Sequence, residues 1–179
     1  MKKINVITVL TCALLLTACN PLQPAIDIPE GKIVGCENIK VDEKRATGLM
    51  LDCMDGMSKI DLAAITGPAV INFWGSWCGP CREEIPFFVD LANSLPEGLV
   101  LIGVDREEKS TEAAEKFIKD FGINYPQLTD PSGLSKSLVG LSVPVTIFID
   151  ENGEIVYQHV GAIKTADELR ELVLEHFGI

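Results

Sequence analysis

The pattern of the 179-residue chain predicts an α/β fold, a central mixed sheet flanked by helices. Three observations carry that prediction. Short apolar runs at 70–74, 99–104 and 145–150 have the length and composition of buried strands. Stretches of helical periodicity follow them in alternation. Turn signals at Asp55-Gly56 and Asn152-Gly153 put a hairpin near each end of the folded part.

The elements follow in order. From Ala46 to Ile60, β-favouring stretches flank Met54-Asp55-Gly56 and predict a hairpin. Val70 to Trp74 reads as a strand covered on both faces. Arg82 to Leu95 predicts a helix with Ile85, Phe88, Val89, Ala92 and Leu95 along one stripe, and Pro86 is expected to kink that helix without ending it. Leu99 to Val104 is the second buried strand. Asp105 to Lys109, a mixed charge run, is expected to be a solvated loop. Glu112 to Phe121 predicts a helix through Ala113, Phe117 and Phe121 with Ala114 and Ile118 alongside. Val145 to Asp150 and Ile155 to His159 predict an antiparallel pair around the turn at 151–154. Thr165 and Glu168 stand at capping-box spacing before a last helix whose inward side is Leu169, Leu172, Val173 and His176. His159 and His176, with no motif around either, read as surface histidines.

Composition narrows the function. A 47% hydrophobic content is enough for a packed core. A net charge of −11 argues against nucleic acid, because a phosphate backbone attracts basic surfaces. At the N-terminus, Lys2 and Lys3 precede an apolar stretch, Ile4 to Leu16, too short to span a bilayer comfortably. That is the layout of a secretory signal peptide. Its exit, Leu16-Thr17-Ala18-Cys19, resembles the lipobox of bacterial lipoproteins, which makes Cys19 a lipidated first residue of the mature chain. The alternative is ordinary signal cleavage beside a chance cysteine. The expected organisation is a signal peptide at 1–18, a lipidated tether at 19–40 containing Pro21, Pro24 and Pro29, and a folded domain at 41–179. Acyl chains hold a protein to a membrane without a transmembrane helix.

Export places the remaining cysteines where disulfides persist. Cys78 and Cys81 are close enough to bridge within Cys78-Gly79-Pro80-Cys81, which leaves Cys36 and Cys53 for each other. Two free buried thiols, or a redox or metal role, are the alternatives for that second pair.

The CxxC follows a buried strand and opens an amphipathic helix, the context of a thioredoxin-like redox motif. Haem attachment needs a histidine where Arg82 stands. Zinc needs two further ligands, with Cys36 and Cys53 the only thiol candidates, and a purely structural bridge is the remaining alternative. At a helix N-terminus, unpaired N–H groups and the macrodipole favour a Cys78 thiolate. Cys81, one turn on, is expected to be more buried and to resolve the mixed disulfide. Pro80 limits the loop, and Trp77 suggests a recognition surface. Glu84, three residues after Cys81, falls at the border of the apolar stripe. Partly desolvated, it would have a raised pKa and relay a proton with Cys81; solvated, it would be an ordinary surface glutamate.

VINFWGSWCGPCREEIP, with SVPVTIFIDENGEIV downstream, resembles the membrane-tethered thioredoxin-like proteins of the TlpA and ResA type from about Ala46 to Ile179. The resemblance implies a thioredoxin fold with an added N-terminal β-hairpin. It also implies a cis Pro144 beside the cysteines, with the preceding backbone pairing with an incoming peptide. Glu84 matches the active-site glutamate of ResA-type members. Asn72 stands where thioredoxin has a buried aspartate, so Glu84 takes over proton transfer in this reading.

The function expected is an extracytoplasmic thiol–disulfide oxidoreductase, a monomer anchored through Cys19, with no cofactor or metal beyond its redox-active disulfide. Its expected partners are disulfide-containing proteins, such as apocytochrome c or copper-centre assembly proteins, and a membrane electron donor. Cys-Gly-Pro-Cys leans towards a reductase. A disulfide-forming oxidase and a non-catalytic metal-delivery protein are the alternatives.

Overall fold

In a computed structural model, which describes residues 29–179, the sheet is built outward from the two runs that are apolar on both faces. The elements in chain order are β1 (Met50–Cys53), β2 (Lys59–Asp61), β3 (Ala69–Trp74), α1 (Gly79–Asn93), β4 (Val100–Arg106), α2 (Thr111–Phe121), β5 (Gln127–Asp130), α3 (Lys136–Val139), β6 (Val145–Ile149), β7 (Ile155–Val160) and α4 (Ala166–Phe177). The seven strands lie in the order β2-β1-β5-β4-β3-β6-β7. β3 is parallel to β4 and β4 to β5, while β6, β7 and the β1–β2 hairpin join antiparallel. The mixed α/β sheet and the N-terminal hairpin are as the sequence predicts.

Alternation along the central strands makes two cores. Val70 and Trp74 of β3, Leu101 of β4 and Phe148 of β6 pack with Ile85 and Phe88 of α1, Phe117 of α2 and Leu169 of α4. Ile71, Phe73, Ile102, Val104, Val145 and Ile147 face the other way, against Leu51, Leu62, Ile65 and Val139. Side chains along a strand alternate between faces. Asn72 therefore shares the α1 face with Val70 and Trp74, in an otherwise apolar strand.

The helix ends follow the sequence signals. Thr165 Oγ1 accepts from the Glu168 N–H at 3.0 Å, and the Glu168 carboxylate turns back to the Lys164 N–H at 2.6 Å. Gly122 closes α2 at φ 70°, a left-handed conformation suited to glycine. Pro86 lies inside α1, which runs on to Asn93. Leu95, expected on the inward stripe, lies beyond the helix and is exposed; Leu91 takes the inward position instead.

Other departures are informative. β5 and α3 are not predicted, because each is a four-residue element whose burial comes from tertiary neighbours. Asp105 and Arg106 are not in a solvated loop: they end β4 and are almost fully buried, because the strand runs two residues beyond its apolar core. His159 and His176 are half-buried, His176 stacking on Tyr157 with ring centroids 4.5 Å apart.

The expected tether boundary at residue 40 also moves. The Gly31 N–H donates to Lys119 O at 3.1 Å, the Lys32 N–H donates to Ile123 O at 2.9 Å, and Cys36 and Ile39 are buried. A Cβ on Gly31 would fall 2.0 Å from Ile118 O, so this close approach needs glycine. The chain thus joins the domain from Gly31 onward. The expected signal peptide, Cys19 and the tether up to residue 28 lie outside the described residues. No described helix is long and apolar enough to cross a membrane.

Cys36 and Cys53 form a disulfide across 17 residues, both nearly inaccessible, joining this N-terminal segment to β1. A loop of that size adds about 3 kcal/mol by restricting the unfolded chain. Replacing both residues with serine is expected to lower the oxidised protein's unfolding free energy by about that amount in a urea titration.

Candidate active site

The site forms where β3 ends and α1 begins. β3 and β4 run parallel with α1 between them in sequence, so the β3–α1 loop emerges at the carboxyl edge of the sheet. Cys78 and Cys81 are joined by a disulfide, with Cα atoms 5.3 Å apart. Cys78 is the N-cap of α1, and its Sγ accepts the Cys81 N–H at 3.2 Å. That N–H is one of the donors a helix N-terminus leaves unpaired, so the same geometry favours a thiolate when the bridge opens. Pro80 stands in the first turn, where no N–H is needed. Cys81 is fully buried and Cys78 nearly so, while Gly79, Pro80 and Trp77 are exposed.

Loops on either side fix the motif. The Ser76 N–H donates to Glu108 Oε2 at 2.9 Å, and Arg82 donates to Ser76 O at 3.3 Å. The Arg82 guanidinium also lies over Phe117 and Phe121 of α2, 5.5 and 4.9 Å from their centroids. The Val143–Pro144 bond is cis. Val145 pairs with Phe73, so Pro144 sits beside the strand end that leads into the motif. Val143 packs against the core cluster that contains Cys78 and Cys81.

Glu84 lies beneath the motif and is fully buried. Its Oε1 accepts from Asn72 Nδ2 at 2.8 Å and its Oε2 from the Ile163 N–H at 2.9 Å. The same Asn72 amide donates to Thr146 Oγ1 at 3.2 Å. Burial raises the Glu84 pKa to about 7, and the hydrogen bonds from Asn72 and Ile163 pull it back only in part. Ordinary burial would leave such a carboxyl protonated at neutral pH; here it stands near half-ionised. Burial likewise raises Asp105 to about 7, helped by Glu108 and Asp130.

A polar row crosses the sheet under Glu84. Register aligns Thr146, Asn72, Gly103 and Gln127 on neighbouring strands. Gly103 has no side chain because Gln127 fills its place: a Cβ there would fall 1.9 Å from Gln127 Oε1. That oxygen accepts the Trp74 indole N–H at 2.9 Å. The structure therefore brings Cys78, Cys81, Glu84, Trp77 and Pro144 around one strand end. Cys36 and Cys53 belong to the hairpin side, with Cys36 Sγ 3.8 Å from Gln127 O.

Sequence reading missed Arg106, Glu108 and Gln127. The first two sat in a charge run that resembled a loop, and Gln127 in a strand too short to stand out. Gly103 within an apolar strand was the available signal, since such a glycine marks a close approach.

A thioredoxin-type fold with a CxxC at the start of its first long helix is the scaffold of a thiol–disulfide oxidoreductase. The AhpC/TSA family pattern matches residues 43–158, and the chain belongs to that family. Over 131 residues it is 30% identical to the thiol-disulfide oxidoreductase ResA of Bacillus thuringiensis subsp. konkukian, covering 72% of this chain and 74% of that protein. It is 31% identical over 106 residues to the sporulation thiol-disulfide oxidoreductase A of Bacillus subtilis, covering 57% of this chain and 64% of that protein. Among solved structures, StoA from Bacillus subtilis shares 28% identity at a TM-score of 0.58, covering 68% of this chain and 92% of that one. A thiol:disulfide interchange protein DsbE from Chlorobium tepidum shares 30% identity at a TM-score of 0.61, covering 76% and 96%. The chain is a thiol–disulfide oxidoreductase of the ResA and StoA type.

Because the folded Glu84 pKa lies above its ordinary 4.5, the fold keeps a proton that the unfolded chain releases. Stability therefore falls as pH rises through that window, and the cost is complete above about pH 7. Glu84→Gln is expected to shrink the fall in unfolding free energy between pH 4.5 and 8 by about 3 kcal/mol, with the Asp105 part remaining, as read by urea unfolding at both pH values.

Proposed function

We propose that this oxidoreductase is an extracytoplasmic disulfide reductase held to the membrane by a lipid on Cys19. The observation that carries the catalytic reading is the buried Glu84 carboxyl, poised near pH 7, one helical turn beyond Cys81 on the same face of α1.

In the reduced enzyme the Cys78 thiolate attacks one sulfur of a substrate disulfide, and the other sulfur leaves as a thiolate and takes a proton. Cys81 then passes its proton to the Glu84 carboxylate and attacks Cys78 Sγ. The second substrate sulfur leaves as a thiolate, which takes up a proton in turn. Substrate gains two electrons and two protons, and the enzyme ends with the Cys78–Cys81 bond. On re-reduction, Glu84 returns its proton to Cys81. Trp77, Gly79 and Pro80 form the exposed rim, and the backbone before Pro144 receives the peptide. No cofactor enters this scheme.

The resemblance to the TlpA and ResA type directs the substrate assignment towards cysteine pairs of exported metalloproteins. Apocytochrome c before haem attachment and copper-centre assembly proteins are the examples that fit. A membrane electron donor restores the dithiol, and the protein works as a monomer. The signal-like 1–18 segment and its Leu-Thr-Ala-Cys exit support the anchor. Cys19→Ser is expected to move the protein from the membrane fraction to the soluble one; retention in the membrane would refute the lipid anchor.

A redox-buffer titration with thiol trapping tests the direction. A Cys78–Cys81 potential near about −270 mV fits a reductase, and one near about −120 mV would make it an oxidase. Cys81→Ser is expected to accumulate mixed disulfides through Cys78 in cells. Stoichiometric copper binding by the reduced protein, without disulfide turnover, would replace this reading with metal delivery.

A further inference from the structure

The end of β4 touches both loops that frame the disulfide. Arg106 is 1% exposed, and its guanidinium donates to Gly140 O at 3.1 Å and Leu141 O at 2.5 Å. Glu107 Oε1 accepts from Lys136 Nζ at 2.5 Å, at the start of α3. Glu108 holds the Ser76 N–H across the gap. Three consecutive residues thus tie the segment before Pro144 and the segment before Cys78 to one strand end.

This tether has a consequence for the free backbone beside the disulfide. Among the described residues, Ser142 and Val143 make no backbone hydrogen bond. Their peptide groups lie next to the motif, by the register of Val145 with Phe73. Unpaired backbone groups leading into a strand offer an incoming peptide partners for strand-type pairing. Arg106 occupies the two carbonyls just before it and so fixes where that template begins. Leu141, whose carbonyl Arg106 holds, is 80% exposed, and Trp77 in the loop before Cys78 is half-exposed.

We infer that Arg106 is a positioning residue for substrate: by clamping Gly140 and Leu141 it holds the Ser142–Val143 backbone in register with Cys78, and so selects disulfides carried in an extended peptide over small free disulfides. The inference rests on the reading of Cys78 as the attacking sulfur, and it holds whichever way electrons run. Guanidinium geometry matters here, because a planar fork offers one nitrogen to each carbonyl at a fixed spacing, whereas an ammonium donates from a single nitrogen on a flexible stem.

The experiment compares Arg106→Lys with wild type in the full chain, using an octapeptide containing a mixed disulfide and, separately, glutathione disulfide. Loss of one charge-assisted hydrogen bond is expected to lower the peptide-over-glutathione ratio of kcat/KM about tenfold, chiefly through peptide KM. The Cys78–Cys81 potential, measured alongside, is expected to stay with wild type. Glu108→Ala tests the other end of the tether without touching a buried charge, and the same selectivity is expected to fall and then return in Glu108→Gln, which keeps an acceptor for Ser76. Equal losses on both substrates, or an unchanged ratio in Arg106→Lys and Glu108→Ala, would overturn the clamp while leaving the function intact. A wild-type protein whose Cys78 reacts with neither disulfide would refute both.

Discussion

The site depends on holding one carboxylate inside an apolar layer without either neutralising it or exposing it. Glu84 lies on the buried side of α1, among Cys81, Ile85 and Phe88. An isolated buried carboxylate would simply take a proton. Two donors prevent that, the Asn72 amide and the Ile163 N–H, and their combined effect stops short of full ionisation. An aspartate at position 72 would put a second anion in the same space, and like charges push a shared pKa further up. An amide there supplies a donor and leaves the titration to Glu84 alone.

That constraint explains why the centre of the sheet carries a polar row. Asn72 must sit on the α1 face, so β3 cannot be apolar throughout on that side. Its neighbours adapt: Thr146 accepts the same amide, and Gly103 makes room for Gln127. Gln127 in turn satisfies the Trp74 indole and donates to Tyr125 O. Buried polar groups are costly when unpaired, so each member of the row calls for the next. Trp74 then stacks on Phe117, and Phe117 supports Arg82 beside the motif. The redox loop is positioned by a chain of hydrogen-bonded polar side chains as much as by packing, although Asn72 Oδ1 is buried without a partner.

What was legible in the sequence was whatever depends on short-range pattern. The buried strands at 70–74 and 99–104, the Thr165 cap and the CxxC at the head of α1 all follow from local periodicity or residue chemistry. Glu84 was legible as a position on the stripe, but its two donors were not: Asn72 is 12 residues away and Ile163 is 79. Position on a helix predicts burial; only tertiary partners decide charge. The same limit hid the end of β4. Five charged residues in succession look solvated, yet β5 and the loop after α3 cover the first two of them. The N-terminal boundary failed for a related reason, since the prolines around 21–29 gave no sign that Gly31 fits closely against α2.

A division of labour follows from which face each residue of β4 presents. Asp105 shares the α1 face with Gly103, and Arg106 shares the opposite face with Val104 and Ile102. Successive residues therefore project to the two sides of the sheet at the same edge. One side carries the helix that starts with the cysteines; the other carries α3 and the loop leading to Pro144. Only a strand between those layers can reach both, and β4, paired to β3 on one side and β5 on the other, is so placed. Two loops far apart in sequence are thereby held at a fixed spacing by a rigid element, so the disulfide and the backbone beside it present one surface. Loops fastened only to each other would let that spacing drift, and discrimination between peptide and small disulfides would drift with it.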